Sequence, residues 1–294
     1  MRVSNGTLFA TCTLIWGSTW LAITHQLGVV APEISVAYRF AIGGAILAAW
    51  CFATGVSLRF PRREHPILFA FGVTMFGINY VGVYWAERFV PSGLVAVVFS
   101  TIVFMSPIGM RVVYGEALTL RTLVAATLGV SGVALLFLPE LDAARNGGSA
   151  ALGIAFAFGA TAIATIGNII AVRNYKAGLP TFPATAWGMG YGALTAAVVA
   201  TITGVPWAFE RTAGYVLSLV YLAVFGSVFA FGAYLTLLKR VGAGPSSFVG
   251  VATPVLALVL STFFEGYRWT WVGAVGVALA VAGNWLALRA KLAS

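Results

Sequence analysis

The chain has 294 residues, of which 60% are hydrophobic and only 9% charged. Globular chains carry about 25% charged residues, so this composition excludes a soluble protein and the functions that need one. A formal net charge of +9 would suit a nucleic-acid ligand, but the placement of the charges along the chain excludes that reading too.

Ten stretches free of Asp, Glu, Lys, Arg and His follow one another: 6–24, 40–58, 66–86, 89–110, 122–139, 146–172, 177–209, 212–238, 241–264 and 269–288. About 20 apolar helical residues cross a bilayer core roughly 30 Å thick. Barrel strands would alternate polar and apolar over about 10 residues, and these runs do not. The pattern predicts an all-α polytopic membrane protein with ten transmembrane helices and no soluble domain. With the N-terminus in the cytoplasm, twelve of the Lys and Arg residues fall in inner loops, four (Arg88, Arg145, Arg211, Arg268) in outer loops, and Arg39 within a helix. The positive-inside rule accounts for this bias, so the basicity reports topology and both termini are expected on the cytoplasmic side of the plasma membrane. Residues 1–27 have the outline of a signal peptide, but the long run and the nine that follow favour an uncleaved first helix.

In chain order, the first helix carries Cys12, Trp16, Ser18 and Trp20; Trp16 stands at the middle of its run, with Trp20 one turn on. Cys12 and Cys51 lie in apolar runs and read as small core residues without a disulfide. The second helix carries Arg39, the one charge well inside a span. It lies about five residues from the outer end, roughly 8 Å deep. A charge there faces a cavity or a partner, so Arg39 is a candidate gate, a substrate-carboxylate anchor or a structural charge. The third helix holds Asn79, Tyr80, Tyr84 and Trp85, and the fourth holds Ser100, Thr101 and Pro107. Pro139–Ser149 is the longest polar interruption and divides five helices from five. Beyond it come Thr161, Thr165 and Asn168, the i, i+4 pair Trp187 and Tyr191, Ser227, Tyr234, Ser246, Thr253 and Pro254.

The segment Thr119–Gly132 can be laid on Thr270–Gly283 with five of fourteen positions identical. Because five is odd, a second repeat would enter the membrane in the opposite sense. The expected organisation is therefore a first repeat over 1–140 and an inverted second repeat over 141–294, as in many secondary transporters.

Several local patterns carry a family resemblance. They are Leu14-Ile15-Trp16-Gly17-Ser18-Thr19-Trp20, Pro32-Glu33 leading to Tyr38-Arg39-Phe40, Val90-Pro91-Ser92-Gly93-Leu94, Gly115-Glu116-Ala117-Leu118-Thr119, Gly242-Ala243-Gly244-Pro245-Ser246 and Thr253-Pro254-Val255. In order and spacing the chain resembles the EamA family of the drug/metabolite transporter superfamily over its full length. It departs at Ile102, where proline is common, and at Phe264-Glu265-Gly266-Tyr267, where the Glu comes two residues early. The resemblance implies ten helices around a central cavity that moves small metabolites. Within the family the chain is most similar to YddG-type exporters of aromatic amino acids.

The expected function is alternating-access export of small metabolites, amino acids and aromatic ones above all. The candidate substrate-binding residues are Trp16, Asn79, Tyr80, Tyr84, Asn168, Trp187, Tyr234 and Ser246. Arg39, Tyr80 and Tyr84 are assigned to the outer gate and Asn168, Trp187 and Tyr234 to the inner, with Trp16 between. Aromatic side chains suit stacking on an aromatic ligand. Pro107 and Pro254 are candidate hinges, since proline frees a carbonyl and kinks a helix. All eight acids lie near run ends or in loops, so no buried carboxylate is expected to couple protons, and transport is expected to be passive or by exchange. Tyr215, Trp207, Trp269 and Trp271 read as interfacial belt residues, and the Gly188–Gly192 GxxxG as internal packing. No phosphate-binding loop is present, and no cofactor or metal is expected. His25, His65 and the loop acids form no catalytic set. The expected partners are the lipid bilayer and a small-molecule substrate, with the protein monomeric. A channel, or an exporter of another small metabolite such as a nucleobase, a drug or an aliphatic amino acid, is the competing reading.

Overall fold

A computed structural model of the chain describes residues 3–115, 117–145, 149–241 and 249–292. Among the described residues all regular structure is helical. Ten helices, some with internal breaks, succeed one another. They are α1 (Asn5–Thr24), α2 (Pro32–Ala53), α3 (Arg62–Glu87), α4 (Ser92–Tyr114), α5 (Leu120–Arg145), α6 (Ala150–Lys176), α7 (Thr181–Ile202), α8 (213–241), α9 (Val249–Phe264) and α10 (Trp271–Leu292). Seven of them (α1 to α4 and α6 to α8) are long and apolar enough to cross a membrane. The apolar stretches of α5, α9 and α10 are shorter, at Leu123–Leu135, Ala252–Phe264 and Trp271–Gly283. Ten uniformly apolar spans were expected; three are marginal among the described residues.

Local chemistry sets the helix ends. The Ser4 hydroxyl accepts from the Thr7 N–H at the start of α1, and Thr212 caps α8 through the Tyr215 N–H. Pro32 occupies the first turn of α2, where its missing N–H costs nothing. Gly115 closes α4 in the left-handed region, at φ 71°.

Two helix pairs pack most closely. In the pair α5 and α10, a Cβ at Gly132 would lie 2.5 Å from the Ala280 nitrogen and the Gly276 oxygen. A Cβ at Gly283 would lie 2.7 Å from the Ala125 oxygen and the Gly129 nitrogen. The two contact sets are images of each other under one constant shift along the chain, and they run antiparallel. In the pair α2 and α7, Gly43 and Gly44 meet Met189 and the Ala186 carbonyl, while Trp50 packs at a tilt against Phe182. Gly188 and Gly192 face α3, against Phe71 and Phe76. The GxxxG therefore serves internal packing.

The helices alternate in direction. Near the N-terminus, Arg240 donates to the Val3 carbonyl and Arg173 pairs with Glu64 at 2.6 Å. At the far end, Gln26 donates to the Tyr215 carbonyl and Trp85 to Glu33. The far end is tightly closed: Glu33 to Ala37, Tyr84, Val90 and Leu94 to Val98 are all buried. The near half of α4 is looser. Past a break at Thr101 it is mostly half-buried or exposed, with Ile108 at 45% and Val112 at 79%. Cys12 and Cys51 are buried free thiols.

Candidate functional site: an aromatic column between two helix bulges

Two helices depart from α geometry in mid-bundle. α3 is π-helical over Val73–Gly77 and α8 over Leu222–Phe229. A π segment carries an extra residue per turn, which shifts the faces of the helix and frees carbonyls; such bulges recur at functional sites. Both consequences appear in this chain. The Trp16 indole N–H donates to the Gly226 carbonyl at 3.2 Å. Ser227, one residue on, donates to Leu222 and accepts from the Arg39 Nε at 3.3 Å. Gly226 has to be small: a Cβ would sit 2.9 Å from the Thr19 methyl and 3.3 Å from the Arg39 Nη2.

Around these bulges the aromatic rings form a continuous column. Tyr234 and Phe231 each lie 5.3 Å from Trp16, centroid to centroid. Phe231 lies 5.8 Å from Phe76, Phe76 lies 5.3 Å from Phe40, and Phe40 lies 4.7 Å from Tyr80. The Arg39 guanidinium ends the column, 4.6 Å from the Tyr80 ring centre and 5.1 Å from that of Phe40. These separations are those of edge-to-face and tilted pairs, worth about 0.5–1.5 kcal/mol each beyond burial. The column links α1, α2, α3 and α8 and runs from Tyr234 towards the closed far end.

Arg39 is 1% exposed and its Nη1 has no hydrogen-bond partner. The Tyr84 hydroxyl lies beside the guanidinium and is its polar neighbour, without a regular hydrogen bond between them. Glu87 faces the Glu265 carboxylate and, beyond it, Arg39; it is 8% exposed with neither carboxylate oxygen bonded. Glu33, at 3% exposure, accepts the Trp85 indole on one oxygen only. An unsatisfied buried group costs about 1–3 kcal/mol, more if charged. This end of the molecule therefore holds several polar atoms whose partners are missing. Beside them Glu265 accepts from the Ser92 N–H at 3.0 Å and from its hydroxyl, tying the end of α9 to the start of α4.

The sequence-derived residues divide accordingly. Trp16, Tyr80, Tyr234 and Arg39 belong to the column, and Tyr84 adjoins Arg39. Asn79 is 1% exposed and donates to the Met75 carbonyl, leaving its Oδ1 unpaired. Asn168 is half-buried on α6. Trp187 lies elsewhere: it is 37% exposed, donates to the Leu58 carbonyl and packs on His65 and Tyr191, all at the near-end periphery. Ser246 lies outside the described residues. Pro107 is half-buried after the break at Thr101, and Pro254 packs beside Val97 and Ser100 of α4. Thr161, Thr165 and Thr253 each donate to a carbonyl of their own helix, a packing role. Trp207, Trp269 and Trp271 are exposed as belt residues should be. Tyr215 is not a belt residue: it is 1% exposed and bonded to Ser35.

Position near a helix end does not leave the acids of this end exposed: Glu33 and Glu87 are buried because neighbouring helices cover that end. The expectation of passive transport loses its support. Glu87 was legible to a narrower question: Tyr80, Tyr84 and Glu87 recur at i, i+4 and i+7 on one helix face. Phe76 and Phe231 were missed because the π segments redirect their faces.

A multi-pass helical bundle with an aromatic path through its middle and a charged, closed end defines a membrane transporter of small molecules. The chain belongs to the EamA-like transporter family, whose model matches residues 6–138 and again residues 151–289. Protein PagO of Salmonella typhimurium is 25% identical over 273 residues, covering 90% of this chain and 86% of that protein. The uncharacterized inner membrane transporter YedA of Escherichia coli is 29% identical over 300 residues, covering 96% and 91%. A solved crystal structure at 22% identity superposes with a TM-score of 0.69 over 98% of both chains, which supports the fold.

Proposed function

We propose that the protein is an alternating-access exporter of small metabolites, most suited to amino acids with aromatic side chains. The observation that carries the reading is the aromatic column, which leads from Tyr234 through Trp16 to the buried charge of Arg39. Rings along this path would take up an aromatic side chain by stacking, and Arg39 would meet a carboxylate. On this reading the closed far end is the outer gate, and the loose half of α4 marks the inner side. The N- and C-termini are cytoplasmic, as the distribution of Lys and Arg favours. The bundle crosses the membrane ten times as two inverted repeats, 1–140 and 141–294. Three observations support this: the two successive family matches, the mirrored glycine contacts of α5 and α10, and the paired π segments of α3 and α8. Thr101 with Pro107, and Pro254, would provide bending points in α4 and α9. The protein works as a monomer.

Counterflow in proteoliposomes tests the function. Vesicles are loaded with each unlabelled amino acid in turn and uptake of labelled phenylalanine is followed. Saturable uptake stimulated by internal aromatic amino acids is expected. No stimulation by any amino acid, with folded protein, would remove the substrate assignment.

A further inference from the structure

Arg39, Tyr84 and Glu87 form an incomplete polar cluster. The guanidinium is fixed on one side by Ser227 and on its faces by Tyr80 and Phe40, so it cannot swing freely. Its Nη1 still lacks an acceptor. Glu87 has two oxygens lacking donors, and the Tyr84 hydroxyl has the Arg39 guanidinium beside it but no regular hydrogen bond. The simplest cure would be an Arg39–Glu87 ion pair, yet the ion pairs among the described residues both use Glu64. Three other charges at this end have partners, Glu33 through one oxygen only. Glu265 holds Ser92, Glu33 holds Trp85, and Arg88 lies 4.5 Å from the Trp85 ring centre. Buried polar atoms in a folded protein are nearly always satisfied, and the exceptions call for a reason.

We propose that Arg39 and Glu87 are the two halves of a binding site for a small zwitterion, Arg39 taking its carboxylate and Glu87 its ammonium group. Tyr84, one turn before Glu87 on the same face, bonds the ligand between them. The inference rests on the amino-acid reading above and extends it. That reading used only the column and Arg39, which would serve any aromatic acid; Glu87 restricts the cargo to molecules that also carry a cation. Closure of the far end without cargo leaves both charges unmet, and cargo supplies an acceptor to one and donors to the other. Ligand binding and gate position are thereby linked, because the ligand discriminates between the two states.

Purified protein in detergent is titrated by tryptophan fluorescence with phenylalanine, 2-phenylethylamine (no carboxylate) and 3-phenylpropionate (no ammonium). Losing a hydrogen bond to a charged group costs about tenfold or more in affinity. Glu87→Gln is expected to weaken phenylalanine and phenylethylamine by that factor and leave phenylpropionate unchanged. Arg39→Gln is expected to weaken phenylalanine and phenylpropionate and spare phenylethylamine. If Glu87→Gln does not fold, Glu87→Asp displaces the charge and should show the same selectivity. Equal weakening of all three ligands, or no change, would overturn the proposal. So would recovery of phenylalanine binding in the Arg39→Gln/Glu87→Gln double variant, which would make the two residues each other's partners. Wild-type protein that counterflows no amino acid overturns the amino-acid reading together with this one. Wild-type counterflow with a neutral Glu87→Gln overturns this one alone.

Discussion

Gly226 is the point where α1, α2 and the bulge of α8 meet, and replacing it with alanine loads a single methyl group onto that junction. The added Cβ would lie 2.9 Å from the Thr19 methyl and 3.3 Å from the Arg39 Nη2. Thr19 cannot rotate away cheaply, because its hydroxyl bonds the Trp16 carbonyl at 2.8 Å. The backbones of α1 and α8 must separate instead, and the Trp16 bond to the Gly226 carbonyl must stretch from 3.2 Å. Overpacking of this kind costs about 1–3 kcal/mol. The strain belongs to the far-closed arrangement, so it should shift the population towards the far-open state by about 5- to 150-fold. A cysteine in place of Tyr84, which is fully buried, reports that shift through its labelling rate with a membrane-impermeant maleimide. Labelling should accelerate by a factor in that range when Gly226→Ala is added. An unchanged rate in protein that keeps its elution profile would refute the reasoning, since the junction would then not hold the far end shut.

Trp16→Phe keeps a ring but loses the indole bond to Gly226; the KM for phenylalanine counterflow should rise severalfold, and Trp16→Ala should raise it further. Gly132→Leu drives a side chain into the Ala280 backbone, and its melting temperature in detergent should fall well below that of wild type, with Gly283→Leu behaving alike. Ser92→Ala removes the hydroxyl donor to Glu265 and leaves the backbone N–H in place; losing that charged hydrogen bond should cost about 1–3 kcal/mol of stability, read as a lowered melting temperature. Arg173→Gln breaks the ion pair with Glu64, in which Arg173 is 38% exposed; an exposed pair is worth about 0–1 kcal/mol, so melting should hardly change.

What the sequence could convey was set by helical periodicity. A run of charge-free residues reveals a span, and an i, i+4 spacing reveals which residues share a face. Trp16, Tyr80, Tyr84 and Arg39 were accessible in that way, and so was the alignment that pairs Gly132 with Gly283. Periodicity does not say which neighbour a face meets. Trp187 and Tyr191 share a face as the spacing requires, yet that face lies against the loop residue Leu58 and His65 at the start of α3. Tyr215 sits at a span end as a belt residue would, yet α2 covers it through Ser35. Glu87 follows the same rule: it lies near the end of its helix, yet the neighbouring helices bury it. The π segments lie further out of reach, because a 3.6-residue repeat cannot register the extra residue that turns Phe76 and Phe231 into the column.

The central claim is that the two ends open in turn. Spin-label pairs at Val29 and Phe264 for the far end, and at Val3 and Tyr175 for the near end, occupy exposed positions. Their distances can be measured by pulsed electron resonance in proteoliposomes with and without phenylalanine. The account predicts opposed changes, one distance lengthening as the other shortens. Both distances fixed while phenylalanine crosses the membrane would contradict alternating access and favour a continuous pore.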